Sequence, residues 1–188
     1  MTLSGIEIHQ ALLSVRRLHG QVALLLRTTD AQLIGEHDFQ SWTNSTCKDY
    51  GSALVESPDE WMPSTVFRFY KLPSGTKDIA AFVSVIICPR YPERHAVAYK
   101  EPLVSAGWVQ LAAPVDTWDA SRYFWASMIT EADVARDGRP FRWRQEAPDA
   151  KGAVERLCFA VPLVEITSTE QLIARIVDPL RSSLGLAE

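Results

Sequence analysis

The sequence predicts an α+β fold: one domain over residues 1–188, with a mainly antiparallel or mixed sheet of about five or six strands covered by N- and C-terminal helices. Three observations predict it. Apolar residues recur at helical spacing from Leu3 through Ile8, Leu12, Val15, Leu18 or His19, Val22 and Leu26. The middle of the chain carries segments rich in β-branched and aromatic residues, punctuated by Pro and Gly. A second helical pattern, Leu172, Ile173, Ile176 and Val177, lies near the end.

The opening stripe is too apolar for an isolated helix and must bury one face, and the sheet is the obvious receiver. His19 and Gly20 resemble a last-turn base and a C-terminal glycine, yet the apolar spacing continues to Leu26, so one continuous helix is expected. If it stopped at His19, residues 21–28 would form a strand. Residues 29–63 carry Asn44, Ser45, Gly51, Ser57 and Pro58, which predict irregular structure with one short helix or strand.

Residues 65–72, with Val66, Phe67, Phe69 and Tyr70, predict a strand, and the turn sequence at 73–76 pairs it with 79–88 as a hairpin. The segment 79–88 is apolar on both faces, so it should lie at the centre of the sheet, sandwiched between the chain's two helical ends. The first strand of the hairpin alternates enough for one wetter face. Pro89 and Pro92 end the second strand. Further strands are expected at 96–99 and 103–111, with Gly107 marking a bulge or a close backbone approach, and at 122–130, where the pattern also fits a short helix capped by Asp119 and carrying Tyr123, Phe124 and Met128 but a strand is favoured. Asp137-Gly138 is a turn signal, after which Phe141 and Trp143 alternate with Arg142 and Arg144 in a half-exposed strand.

An apolar strand within 154–166, interrupted by Pro162, precedes the spacing of a capping box at Thr167–Glu170, where a helix should start. Pro179 cannot supply an internal hydrogen bond, so Asp178 is expected to cap a second short helix through Leu184. No internal repeat, low-complexity tract or linker is evident.

Composition excludes several classes of function. The 188 residues are 47% hydrophobic and 22% charged, with a mean hydropathy of −0.05, as in an ordinary globular protein. A net charge of −4 gives no global attraction to nucleic acid or anionic lipid. The longest apolar run, 79–88, is half of the ~20 residues that a membrane helix needs. The first residues lack the pattern of a secretory signal, and Cys47, Cys88 and Cys158 are odd in number and far apart, so a cytoplasmic location is expected.

No segment carries a strong catalytic signature. Thiol chemistry would need Cys47 with a base such as His37 or His95 and an orienting carboxylate, although buried thiols are more often inert. Glu36-His37-Asp38 reads as a solvated turn, because adjacent residues seldom point at one spot. Asp116 and Asp119 suit helix capping better than paired acid–base work. Pro73-Ser74-Gly75-Thr76-Lys77 is a hairpin turn and not a phosphate loop, since the order is Gly-Thr-Lys and the upstream glycine is missing. Neither a cofactor nor a metal is implied.

The most suggestive local feature is Arg136, Arg139, Arg142 and Arg144 interleaved with Phe141 and Trp143, a mixture that can clasp phosphate or stack bases. Asp133, Asp137, Glu146 and Asp149 dilute the charge and argue against nucleic acid. Six tryptophans are many for this length, and aromatic residues are enriched at interfaces. The expected function is therefore that of a cytoplasmic, non-catalytic binding or accessory protein that contacts a protein partner or a second copy of itself. Trp125, Arg142, Trp143 and Arg144 are its candidate contact residues. The alternative is a small-molecule sensor with a pocket lined by Tyr99, Trp108 and Trp125. A third reading, an enzyme assembled from Cys47, His37, His95, Asp116 and Asp119, requires these residues to converge on folding.

Overall fold

A computed structural model of the protein describes residues 4–42, 47–50, 63–73, 78–87, 101–112, 138–144 and 153–186, with backbone alone at 47–50, 63, 64 and 143. Helix α1 (Gly5–Asp30) is one continuous element and runs on into a π-helical segment, Ala31–Glu36. It starts in a capping box: Ser4 Oγ accepts from the Glu7 N–H, and the Glu7 carboxylate accepts from the Ser4 N–H at 2.7 Å. That backbone bond holds the exposed Glu7 carboxyl below its ordinary range. His19 and Gly20 do not end the helix.

Strands β1 (Gln40–Ser41), β2 (Cys47–Tyr50), β3 (Pro63–Lys71), β4 (Ile79–Ile86), β5 (Leu103–Leu111), β6 (Phe141–Arg144) and β7 (Ala153–Pro162) form one antiparallel sheet of order β1-β3-β4-β5-β7-β6. Strands β1 and β2 pair in succession with one edge of β3, so the seven strands fill six positions. The predicted hairpin is β3 with β4, where Phe69 faces Phe82, and β4 lies between β3 and β5 with all but Ile79 buried. The expected strands at 96–99 and 122–130, the hairpin turn at 74–76 and Asp137 lie outside the described residues.

Strand alternation sorts the core into two layers. One face presents Val66, Tyr70, Ala81, Val83, Val85, Val104, Ala106, Phe159 and Val161. It packs on Val22, Leu25 and Leu26 of α1, on Leu33, and on Leu172, Ile176, Val177 and Leu180 near the C-terminus. The other face carries Phe67, Phe69, Phe82, Ile86, Leu103, Val109, Cys158 and Ala160 with Trp42. Its aromatic rings meet edge to face, Phe67 on Phe69 at 5.4 Å and Phe69 on Phe82 at 6.5 Å.

Both helical ends therefore contribute to the same layer, and the central strand is not sandwiched between them. The reason lies in the strands: each has apolar side chains of both parities, so the second face builds a core with Trp42 and no helix of the described residues. The expected wetter face of β3 is also absent. From Thr65 to Tyr70 every residue is buried except Arg68, which is partly buried and paired with Asp30 of α1.

At the C-terminal end, β7 stops at Pro162 and a single 3-10 turn, Leu163–Glu165, leads to α2 (Thr169–Leu172). The cap sits one residue later than the sequence suggests. Ser168 Oγ accepts from the Gln171 N–H at 3.2 Å, while the Thr167 N–H and hydroxyl both donate to Gln171 Oε1. Asp178 caps nothing, because the chain stays helical through a π-helical segment, Ile173–Val177, into α3 (Asp178–Ser183). The wider π turn accommodates the proline ring at the start of α3, so the element continues where a break was expected. Ser168→Ala should lower stability by about 1 kcal/mol through loss of this cap, read as a lower urea midpoint at unchanged slope.

Candidate interaction surface

Helix α1 is longer than the described strands of the sheet it packs on. Its 26 residues span about 39 Å, whereas a nine-residue strand reaches about 30 Å. The buried residues of α1 are Val22, Leu25, Leu26 and Thr29, all in its second half. The first half buries none of its residues and leaves Ile6 71%, Ile8 46%, Leu12 63% and Leu13 38% exposed. The stripe read from the sequence is therefore split: Val22 and Leu26 reach the sheet, while Ile8 and Leu12 do not.

Beside the second half of α1 lies an apolar groove of about 560 Å³. Leu18, Leu24, Leu25 and Thr28 of α1 line it together with Pro102, Leu163, Val164, Ile166, Ser168 and Leu172. Of these, Leu24 is 59% exposed and Val164 67% exposed. Clusters of this kind are uncommon on surfaces that contact only water.

The residues singled out from sequence are distributed differently. Arg142 and Arg144 lie on the same face of β6, at the end of the sheet, and both are exposed. Arg142 is engaged within the chain: its Nε is 2.6 Å from Glu155 Oε1, and its guanidinium stands 5.7 Å from the centroid of the Trp108 ring. The Trp108 indole N–H donates to the Ser183 carbonyl at 3.2 Å, tying this cluster to α3. Phe141 is half-buried against the second core layer, as the alternation predicts. Trp143 pairs in register with Arg156, and only its backbone is described.

Trp125, Tyr99, His95, Asp116 and Asp119 lie outside the described residues, and of Cys47 only the backbone in β2 is described. His37 follows the π-helical segment in a turn with Glu36 and Asp38 exposed, and Asp38 has a positive φ of 58°. A solvated turn accounts for these three. Cys158 is buried on β7, and desolvation raises its thiol pKa to about 11, which suits an inert core thiol. No described helix is long and apolar enough to cross a membrane.

Sequence reasoning missed the groove and the exposed first half of α1 because it assigned the whole stripe to one buried seam. A signal was present in Ile6, Leu13 and Leu24, three large aliphatics off that seam. Comparison of the chain with protein-family models, with curated proteins and with solved structures returns no match.

Proposed function

We propose that this chain is a non-catalytic binding or accessory protein of the cytoplasm that acts through protein–protein contacts, with the first half of α1 as its principal contact surface. The observation that carries the reading is the exposure of Ile6, Ile8, Leu12 and Leu13 on the first half of α1. Aliphatic side chains held in water on a preformed helix gain roughly 25 cal/mol for each Å² that a partner covers. The helix is already capped and ordered, so little conformational entropy remains to be lost on binding. Arg142 and Arg144 on β6 supply a second, polar contact region in this reading.

The volume of the groove supports a second reading, a small-molecule sensor, because ligand pockets fall in the range of roughly 300–1,000 Å³. The exposure of Leu24 and Val164 favours a protein side chain or helix as occupant. A photo-crosslinking residue introduced at Ile6 or at Leu12 tests the principal reading in extract of the native host. A discrete protein adduct is expected at both positions and none at exposed Ala174 on the C-terminal helical element. Absence of any protein adduct at Ile6 and Leu12 would overturn it.

A further inference from the structure

We infer that the partner is a different protein that receives the first half of α1 as an inserted helix, in a cleft with apolar walls and carboxylates on its floor. The inference rests on the contact-surface reading above and specifies the partner's chemistry. Residues 4–14 are all exposed, so a partner can close around them. A helix turns about 100° per residue, which sets Ile8 and Leu12 about 40° apart in one aliphatic rib and Ile6 and Leu13 about 20° apart in another. The two ribs are separated by about 130°. His9 and Arg16 are exposed midway between them and form a basic line. Glu7, the acid of this half, sits about 170° from that line and is held in the capping box by Ser4.

Charge selects among the occupants. Between Glu7 and Asp30 the chain holds three arginines and no acid, a formal charge of +3 within a chain of −4. Arg16 and Arg17 are exposed, and neither pairs with a carboxylate among the described residues. A guanidinium between two aliphatic ribs loses water once the ribs are covered, and a facing carboxylate offsets that loss. A flat anionic membrane does not fit, because sinking both ribs to equal depth would drive His9 and Arg16 deepest into the hydrocarbon. Nor does a second copy docked through its own groove or its own α1. The groove is lined by no ionisable residue and so offers Arg16 no counter-charge. A second α1 would set the same acid-free run against this one. A protein cleft meets both demands, since i, i+4 and i, i+7 anchors are those of a helix seated in a groove and carboxylates can line its floor.

The crosslinker at Ile6 of the full chain, used in extract of the native host, tests the inference when combined with Arg16→Gln, Arg16→Lys and Gln10→Glu. Gln10 is exposed about 110° from the basic line, so Gln10→Glu removes the same unit of positive charge as Arg16→Gln without touching that line. Far-UV circular dichroism checks that each variant keeps the wild-type fold. Adduct yield is expected to fall at least tenfold in Arg16→Gln, and to stay within about threefold of wild type in Arg16→Lys and Gln10→Glu. An undiminished adduct in Arg16→Gln would overturn the inference and leave the contact-surface reading standing. Equal losses in Arg16→Gln and Gln10→Glu would reduce the effect to overall charge and overturn it as well. An adduct with the mass of two chains, or flotation of the wild type with phosphatidylserine vesicles, would overturn it in favour of a second copy or a membrane. Absence of any adduct would remove the contact-surface reading together with the inference.

Discussion

Gly107→Ala is expected to cost about 3 kcal/mol or more, whereas Gly20→Ala should gain about 0.5–1 kcal/mol. Gly107 lies in β5, opposite Phe82 on one side and Cys158 on the other. A Cβ there would stand 2.0 Å from the Leu157 carbonyl oxygen and 2.8 Å from Cys158 Cα. Both are backbone atoms of β7, so relief requires the strands to separate at the middle of the sheet, where hydrogen bonds and both core layers resist it. Gly20 sits within α1 with nothing within 4 Å of its added Cβ, and only the entropy of the unfolded chain is at stake. The two substitutions are chemically identical and should move the urea midpoint in opposite directions at unchanged slope. A Gly107→Ala variant within about 1 kcal/mol of wild type would mean that β5 and β7 can part cheaply, and the described register would then not be a rigid constraint.

Much of this architecture is legible in the sequence, because local pattern and tertiary demand agree. The 79–88 run is apolar on both parities, and only a central strand buries both. Gly107 in an otherwise bulky strand announces a close approach, and the Ser4-x-x-Glu7 pattern carries the cap of α1, although sequence reading passed over it. What stays hidden depends on length and geometry. A helical stripe reports which face is apolar but not how far its receiver extends, so Ile8 and Val22 look alike in sequence although only Val22 is buried. The groove is hidden for a related reason: its lining residues Leu24 and Val164 lie about 140 residues apart in the chain. The Arg142–Trp108 contact likewise joins β6 to β5 across β7, a relation fixed by strand order and invisible to spacing.

Asp30→Ala should destabilise the protein by about 3 kcal/mol, because it orphans a charge that the fold has largely withdrawn from water. Asp30 ends α1, and its carboxylate lies 2.6 Å from Arg68 Nη2 on β3 while accepting from the Tyr70 hydroxyl at 2.9 Å. Less than a fifth of either ionic side chain is exposed, and Arg68 Nε is buried with no hydrogen-bond partner among the described residues. Solvent screening at that residual exposure places the loss at the lower end of the roughly 3–5 kcal/mol seen for broken buried pairs. If the orphaned charge causes the loss, Asp30→Leu combined with Arg68→Met should retain more stability than Asp30→Ala alone. Tyr70 adds a pH signature. Burial, and then the Asp30 charge, push its hydroxyl well above 10, so the folded state holds this proton more tightly than the unfolded chain. Stability from this group is complete below about pH 10 and is lost as pH rises above it, since the unfolded chain ionises first. Tyr70→Phe should cost about 1 kcal/mol at neutral pH and make the urea midpoint less steep between about pH 9 and 11. An alkaline limb unchanged by that substitution would remove Tyr70 from the account, and a double variant no more stable than Asp30→Ala would show that packing, rather than charge, pins α1 to β3.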